Sequence, residues 1–399
     1  MFNIDNDYLV NIRREIHMYP EVDFDLPKTV ALVKRELDSM GIEYTEKYGK
    51  GSVVGYINPQ KEGFTIGIRA DMDALNIQEA NNVPYRSKID GKMHACGHDA
   101  HTAVLLGAAK ALKELESQLA CRVKLLFQPS EEGMKSGSLM MIEHGVLEDV
   151  DIIIGLHIGN NVKTGMLGVC PGDSQASSRH FKIEITGRSA HAASPQTGLD
   201  ALAVAVRMYE AIQLVLSREI HPMERCLCSI GKIEGGTAQN VVAGYAKILG
   251  TIRAFNVDVS HYIFGRIQKI AKCLSEETGA EIEVTGPLKS VCVYNNPYLS
   301  RLVLDSMKKV VGEENTCITK PSLSSEDFSR FSEIKPGVFF RLGTGNKEKG
   351  CTTAIHNDDF RMDEDGLHLG AAAFVQFVLD NQHGVDMDKV IASDERNSK

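Results

Sequence analysis

Three apolar runs in this sequence end in residues that a simple turn does not need. Thr65 to Ala70 runs into Asp71-Met72-Asp73, Val123 to Phe127 into Gln128-Pro129-Ser130-Glu131-Glu132-Gly133, and Asp151 to Leu156 into His157. Ligands of open α/β sheets bind at the carboxyl ends of strands, so these acids and this imidazole are expected around one crevice. A fourth stretch, His94-Ala95-Cys96-Gly97-His98-Asp99, carries a thiol and an imidazole two residues apart. In an extended segment both point at one centre, and the pair suits zinc and similar borderline divalent ions. The neighbouring carboxylates Glu131 and Glu132 can divide labour, one ligating a metal while the other takes a proton from bound water. His356 adds an imidazole in the polar segment Thr352 to Asp358. Each signal has a plain structural alternative: a buried cysteine, a helix-capping or hydrogen-bonded histidine, a solvated acidic turn. Cys96, His98, Glu132, His157 and His356 together, in strand-end or loop settings, weigh towards a metal site.

Three further residues belong to a different stretch. Gly187-Arg188-Ser189-Ala190-His191-Ala192-Ala193-Ser194-Pro195 is a small-residue loop carrying His191. It reads either as a connection or as a loop offering His191 to a substrate or a developing oxyanion. Gly235-Gly236-Thr237-Ala238-Gln239-Asn240 lacks the lysine of a phosphate loop, and could bring Asn240 to a substrate carbonyl or carboxylate. Arg253 could pair with a substrate carboxylate, or be an ordinary strand-surface arginine.

The elements that must position these residues change in kind along the chain. Up to about residue 170, helical spacing at Pro27–Ser39 and Ala100–Leu115 alternates with strand-length apolar runs, which predicts an α/β domain with a mostly parallel sheet covered by helices on both faces. From His180 the order becomes β-α-β-β-α-β, that of a ferredoxin-like α+β layer. After Asn295-Asn296-Pro297 the first pattern resumes with a helix at Leu299–Val311, a strand at Val338–Leu342 and a helix at Gly366–Leu379. The reading is a catalytic domain of residues 1–179 and 294–399, interrupted by a lid or dimerisation domain of residues 180–293. The polar tail from Gln382 is expected to fray.

Bulk properties narrow the function. The 399 residues carry 44 Lys+Arg against 53 Asp+Glu, a formal charge of -9 without a basic stripe, which argues against nucleic acid and anionic membrane surfaces as partners. No signal-peptide pattern or membrane-length apolar run is present, which points to the cytoplasm. The 9 cysteines form no C-x-x-C pair, so neither a disulfide scaffold nor a zinc ribbon fits.

Arg69-Ala70-Asp71-Met72-Asp73-Ala74-Leu75, His94 to Asp99, Gln128 to Gly133, Gly155-Leu156-His157 and Ser325-Glu326-Asp327-Phe328 occur in this order, with Gly187–Pro195, Gly235–Asn240 and His356. Together the motifs resemble the M20 peptidase family over about residues 8 to 380, especially its amidohydrolase branch of hippurate hydrolases, auxin-conjugate hydrolases and N-acyl-amino-acid deacetylases. The resemblance implies two divalent metal ions (zinc, manganese, cobalt or nickel) and a lid that often mediates dimerisation. It makes Cys96 the bridging ligand, His98, Glu132, His157 and His356 the remaining ligands, and Glu131 the general base. His191, from a partner's lid, and Asn240 would stabilise the tetrahedral intermediate. Asp73 would orient a ligating imidazole, and Arg253 would meet the substrate. The implied reaction is hydrolysis of an N-acyl amino acid, a small molecule, by a homodimer. Here the lid loop reads Arg-Ser-Ala-His where that branch more often carries glycines. Competing readings are a dipeptidase or aminopeptidase of the same family, an amidase with Cys96 as thiolate nucleophile and His98 or His157 as base, and a silent metal or ligand carrier.

Overall fold

The computed structural model describes residues 4–394 and Arg396, and its chain divides into two compact units. The first comprises Met1–Ser174, Tyr294–Pro321 and Asp327–Lys399, the second Gln175–Val293 and Ser322–Glu326. The first unit is built on an 8-stranded sheet in the spatial order Glu43–Thr45, Val53–Ile57, Arg122–Gln128, Thr65–Asp71, Ile152–Lys163, Gly337–Gly345, Leu167–Val169, Thr316–Ile318. The four strands from Arg122–Gln128 to Gly337–Gly345 run parallel to one another, so their carboxyl ends open on one edge. Thr65–Asp71 is buried at every residue, as a central parallel strand covered on both faces must be.

Helix His98–Glu114 packs on this sheet and is buried nearly all round, which its Ala/Leu-rich sequence requires. Helix Pro27–Met40 starts with proline at its first position and stops at Gly41, whose φ of 66° lies in the left-handed region.

Several expectations are corrected at the level of elements. The run ending at Leu156 is part of a longer strand, Ile152–Lys163, so His157 lies inside a strand rather than at its end. Its neighbour Thr65–Asp71 pairs with it only as far as Arg69↔Gly155, and His157 therefore still stands beyond that neighbour's last paired residue. Cys96 and His98 do not share an extended segment, because His98 is the first residue of the long helix. The tail is not frayed throughout: Met387–Ala392 is a helix, Val390 is buried, and Asn296 Nδ2 donates to the Val390 carbonyl at 2.9 Å.

The second unit is an antiparallel sheet in the order Cys226–Gly235, Tyr245–Ala254, Ser177–Thr186, Glu281–Thr285, which in chain order is 2-3-1-4. Helices Ala201–Arg218 and Val257–Thr278 cover one face, against Phe181, Ile183, Ile185, Ile248 and Ile252. This is the ferredoxin-like arrangement its element order predicts. Among the described residues, no helix is long and apolar enough to cross a membrane.

Candidate metal centre

Within the first unit, five ligand-type side chains converge. Cys96 Sγ lies 3.3 Å from His157 Nε2 and 3.3 Å from His356 Nε2, and His356 Nε2 lies 3.0 Å from Glu132 Oε1. The ligand atoms fall into groups of three that could each hold an ion: Cys96, His98 and His157; Cys96, Glu132 and His356; His98, Glu131 and Glu132. Cys96 stands in the first and second groups, His98 in the first and third, and Glu132 in the second and third, so the groups share corners; Cys96 is the one between His157 and His356.

The backbone around the site is unusual where it has to be. His356 has a φ of 65° and Ser130, just before the two glutamates, a φ of 51°, both left-handed conformations that non-glycine residues seldom adopt. His356 N–H is tied to the Ala95 carbonyl at 2.8 Å, which joins its loop to the Cys96 segment. Gly97 has a φ of 89°, and a Cβ there would stand 2.6 Å from Ile158 Cγ1. Alanine at position 97 is therefore expected to cost about 1–3 kcal/mol in denaturant unfolding. Metal analysis of the same protein should show reduced occupancy, because Cys96 and His98 flank the strained residue.

A second set of groups holds the first. Asp73 accepts the backbone N–H of Glu131 at 2.9 Å and of Glu132 at 3.0 Å, and its Oδ1 lies 3.4 Å from His98 Nδ1. The other ring nitrogen of His98 lies 3.7 Å from Asp71 Oδ2. His157 Nδ1 donates to the Ile158 carbonyl at 2.7 Å, which leaves Nε2 as the lone pair facing Cys96. His101 accepts the Ile158 N–H on Nε2 at 3.0 Å and so donates from Nδ1 to Asp71 Oδ1 at 2.6 Å. Sequence reasoning placed Asp71 among the acids of the crevice without giving it a role, and missed His101, Arg69 and Asp327 as parts of the site. One signal was available, since His101 follows His98 by three residues and so shares its helix face.

The electrostatics favour a cation. Burial, then the charge of Glu132, pushes the Cys96 thiol well up. Burial opposes charge on His98, but Asp71 and then Cys96 outweigh it and raise its pKa well above the usual histidine value. Burial followed by His101 and Arg341 holds His157 well below that value, as a neutral imidazole. Burial raises Asp73 despite the nearby His98. Burial would also raise Asp71, yet the Arg69 guanidinium and then His98 and His101 hold it well below the carboxylate range. Both ring nitrogens of the fully buried His98 lack a hydrogen-bond partner among the described residues. Such an imidazole, among a thiol and two glutamates, fits a divalent ion by donor chemistry as well as by charge.

The remaining candidates lie in the second unit. His191 pairs with Val241 in a short ladder, and Ala192 N–H donates to the Asn240 carbonyl at 3.0 Å, so His191 and Asn240 are neighbours. His191 Nδ1 accepts the Ala193 N–H at 3.1 Å, which makes exposed Nε2–H the donor of the neutral ring. Arg253 is on another strand and donates to Ser325 Oγ at 2.7 Å.

The sequence profile of Peptidase family M20/M25/M40 matches residues 67–380. The chain belongs to the M20 family. Thermostable carboxypeptidase 1 of Saccharolobus solfataricus is 37% identical, covering 92% of this chain and 93% of that one. IAA-amino acid hydrolase ILR1-like 4 of Arabidopsis thaliana is 38% identical, covering 92% and 84%. N-acetyl-L-cysteine deacetylase of Bacillus subtilis is 35% identical, covering 90% and 84%. Among solved structures, the Bacillus subtilis YXEP protein, described as a dinuclear metal binding peptidase of the M20 family, superposes with a TM-score of 0.77 at 30% identity, covering 94% and 97%. As an M20 member with these relatives, the chain is a metal-dependent amide hydrolase.

Proposed function

We propose that this M20 enzyme hydrolyses the amide bond of N-acyl amino acids, releasing a carboxylic acid and a free amino acid. The observation that carries the reading is Cys96 at the corner of two ligand groups with Glu131 beside them. The activities for which the Arabidopsis thaliana and Bacillus subtilis relatives are named support the substrate class. Cys96, His98, Glu132, His157 and His356 hold two divalent ions drawn from zinc, manganese, cobalt and nickel, all of which this donor set accepts. Bound there, such ions would supply the Lewis acidity that makes a water more acidic and an amide carbonyl more electrophilic. Glu131 takes the water's proton and returns it to the leaving amine. Asp73 orients the segment bearing both glutamates through their backbone N–H groups. In this reading His191 and Asn240 are the donors to the oxyanion, and Arg253 is the cation for the substrate carboxylate.

The test is a panel of N-acetyl, N-benzoyl and longer N-acyl amino acids beside free dipeptides, assayed for released amino acid. Turnover of the N-acyl compounds is expected, and cleavage of dipeptides alone would overturn the reading. The carboxypeptidase relative favours a second reading, removal of a carboxyl-terminal residue from a peptide, which the dipeptide arm detects.

The lid, residues 180–293 in this reading, is also proposed to form a homodimer. Leu202, Val206 and Tyr209 are 39%, 49% and 39% exposed on helix Ala201–Arg218, and their four- and three-residue spacing makes one apolar stripe. Strand Cys226–Gly235 lies at the edge of its sheet, a template for pairing with a second copy. Val206→Glu is expected to halve the mass seen by light scattering. With His191 supplied by the partner, it should also lower turnover by about 10²-fold, the scale for losing one oxyanion donor.

A further inference from the structure

We propose that Arg69 is a positioning residue that holds the metal-binding side and the proton-transfer side of the centre in one fixed relation. The proposal rests on the roles assigned above to His98, His157 and Glu131. Arg69 sits on Thr65–Asp71, the strand between the one leading to Glu131 and the one carrying His157. Its guanidinium is fully buried and makes a different contact with each nitrogen. Nε donates to Gln128 Oε1 at 2.8 Å, Nη1 to Asp71 Oδ2 at 2.7 Å and Nη2 to Asp327 Oδ1 at 3.0 Å.

Each carboxylate leads on to a different part of the centre. Asp71 holds His101, which accepts the Ile158 N–H and packs edge-on against the His157 ring, with centroids 4.5 Å apart. The same Asp71 also lies 3.7 Å from His98 Nε2. On the other side, the Asp327 backbone N–H donates to Glu131 Oε1 at 3.2 Å. Asp327 itself is immobilised by Gln128 Nε2 at 2.8 Å, Ser136 Oγ at 2.7 Å and Ser138 Oγ at 2.9 Å. One planar cation thus spans two buried carboxylates, and through them two imidazoles and the proposed base.

A lysine could not do this, because an ammonium is a point charge on a flexible stem, whereas the guanidinium fork offers fixed, divergent donors. Fold stability alone would be served by either cation, since the requirement would be charge compensation of buried acids. The positions of the partners separate the two roles.

The test uses Arg69→Lys as the main variant, with Asp327→Asn as the second, because it keeps the backbone N–H but weakens the arginine's hold. Metal-free protein of each is titrated with cobalt(II), read by the thiolate–cobalt absorption band, and the pH profile of kcat is measured on the reloaded enzyme. Expected results are a 10–100-fold weaker cobalt affinity for Arg69→Lys, of the size seen when groups behind metal ligands are changed, and a displaced acidic limb of kcat for both variants. Arg69→Lys with parental cobalt affinity and a parental pH profile, and only a lower Tm, would overturn the proposal. Glu131→Gln run in parallel separates this failure from failure of the assigned mechanism. An active Glu131→Gln enzyme refutes the base itself, whereas an inactive one beside a parental Arg69→Lys refutes only the bridging role.

Discussion

Glu131→Gln is expected to lower kcat by about 10²–10⁴-fold, the range that a positioned general base contributes, while the enzyme keeps its full complement of metal. The side chains are nearly isosteric, and a glutamine carbonyl still accepts the Asp327 N–H that holds Glu131 Oε1 at 3.2 Å. The backbone at position 131 stays tied to Asp73. What the variant loses is basicity, since an amide oxygen cannot take the proton of a water at neutral pH. The same change at Glu132, which lies 3.0 Å from His356 and in a ligand group with Cys96, should instead lower metal affinity. Steady-state kinetics with metal analysis on both variants therefore separates the two carboxylates. A Glu131→Gln enzyme with parental turnover would mean that another group takes the proton. One that loses its metal would mean that the two glutamates have been assigned the wrong way round.

Much of the centre is legible in the sequence because parallel strands announce themselves. Buried on both faces, they read as continuous apolar runs, and the residue after each run stands at the functional edge of the sheet. That reasoning finds Asp73, Glu131 and Glu132. It places His157 one step wrong, because nothing in Ile152-Ile153-Ile154-Gly155-Leu156 says the strand outlasts its neighbour by several residues. The supporting groups are harder to see. Arg69 and Asp71 look like a strand end, and Asp327 lies 258 residues from the arginine it binds; pairings of that separation leave no periodicity to read. His101 sits in an Ala/Leu-rich helix where a buried polar residue passes for an exception until its partners are known. Short strands such as Glu43–Thr45 and Leu167–Val169 are equally opaque, since three residues carry no pattern.

Removing the thiol of Cys96 is expected to have the broadest effect of any single change. Its sulfur lies 3.3 Å from both His157 Nε2 and His356 Nε2 and belongs to two ligand groups, so Cys96→Ala weakens both positions at once. The loss in metal affinity should exceed the roughly 100-fold seen when only a supporting group is changed, leaving at most one ion per chain by elemental analysis, with turnover at background. Stability gives an independent readout. Ligand at about 1,000 times its Kd stabilises a folded protein by about 4 kcal/mol, so chelation should lower the Tm of the parent markedly. The variant's Tm should barely respond to chelator, while its metal-free fold should differ from the metal-free parent by only about 1 kcal/mol, as for a typical substitution. This pattern also decides against a thiolate nucleophile. A cysteine that attacked the amide directly would leave metal-dependent stabilisation intact when replaced, because the ions would not depend on its sulfur. An inactive Cys96→Ala protein that still gains its full thermal shift from zinc would therefore refute the bridging role and point to covalent catalysis. Loss of both the shift and the activity is the result required if one sulfur serves two ions.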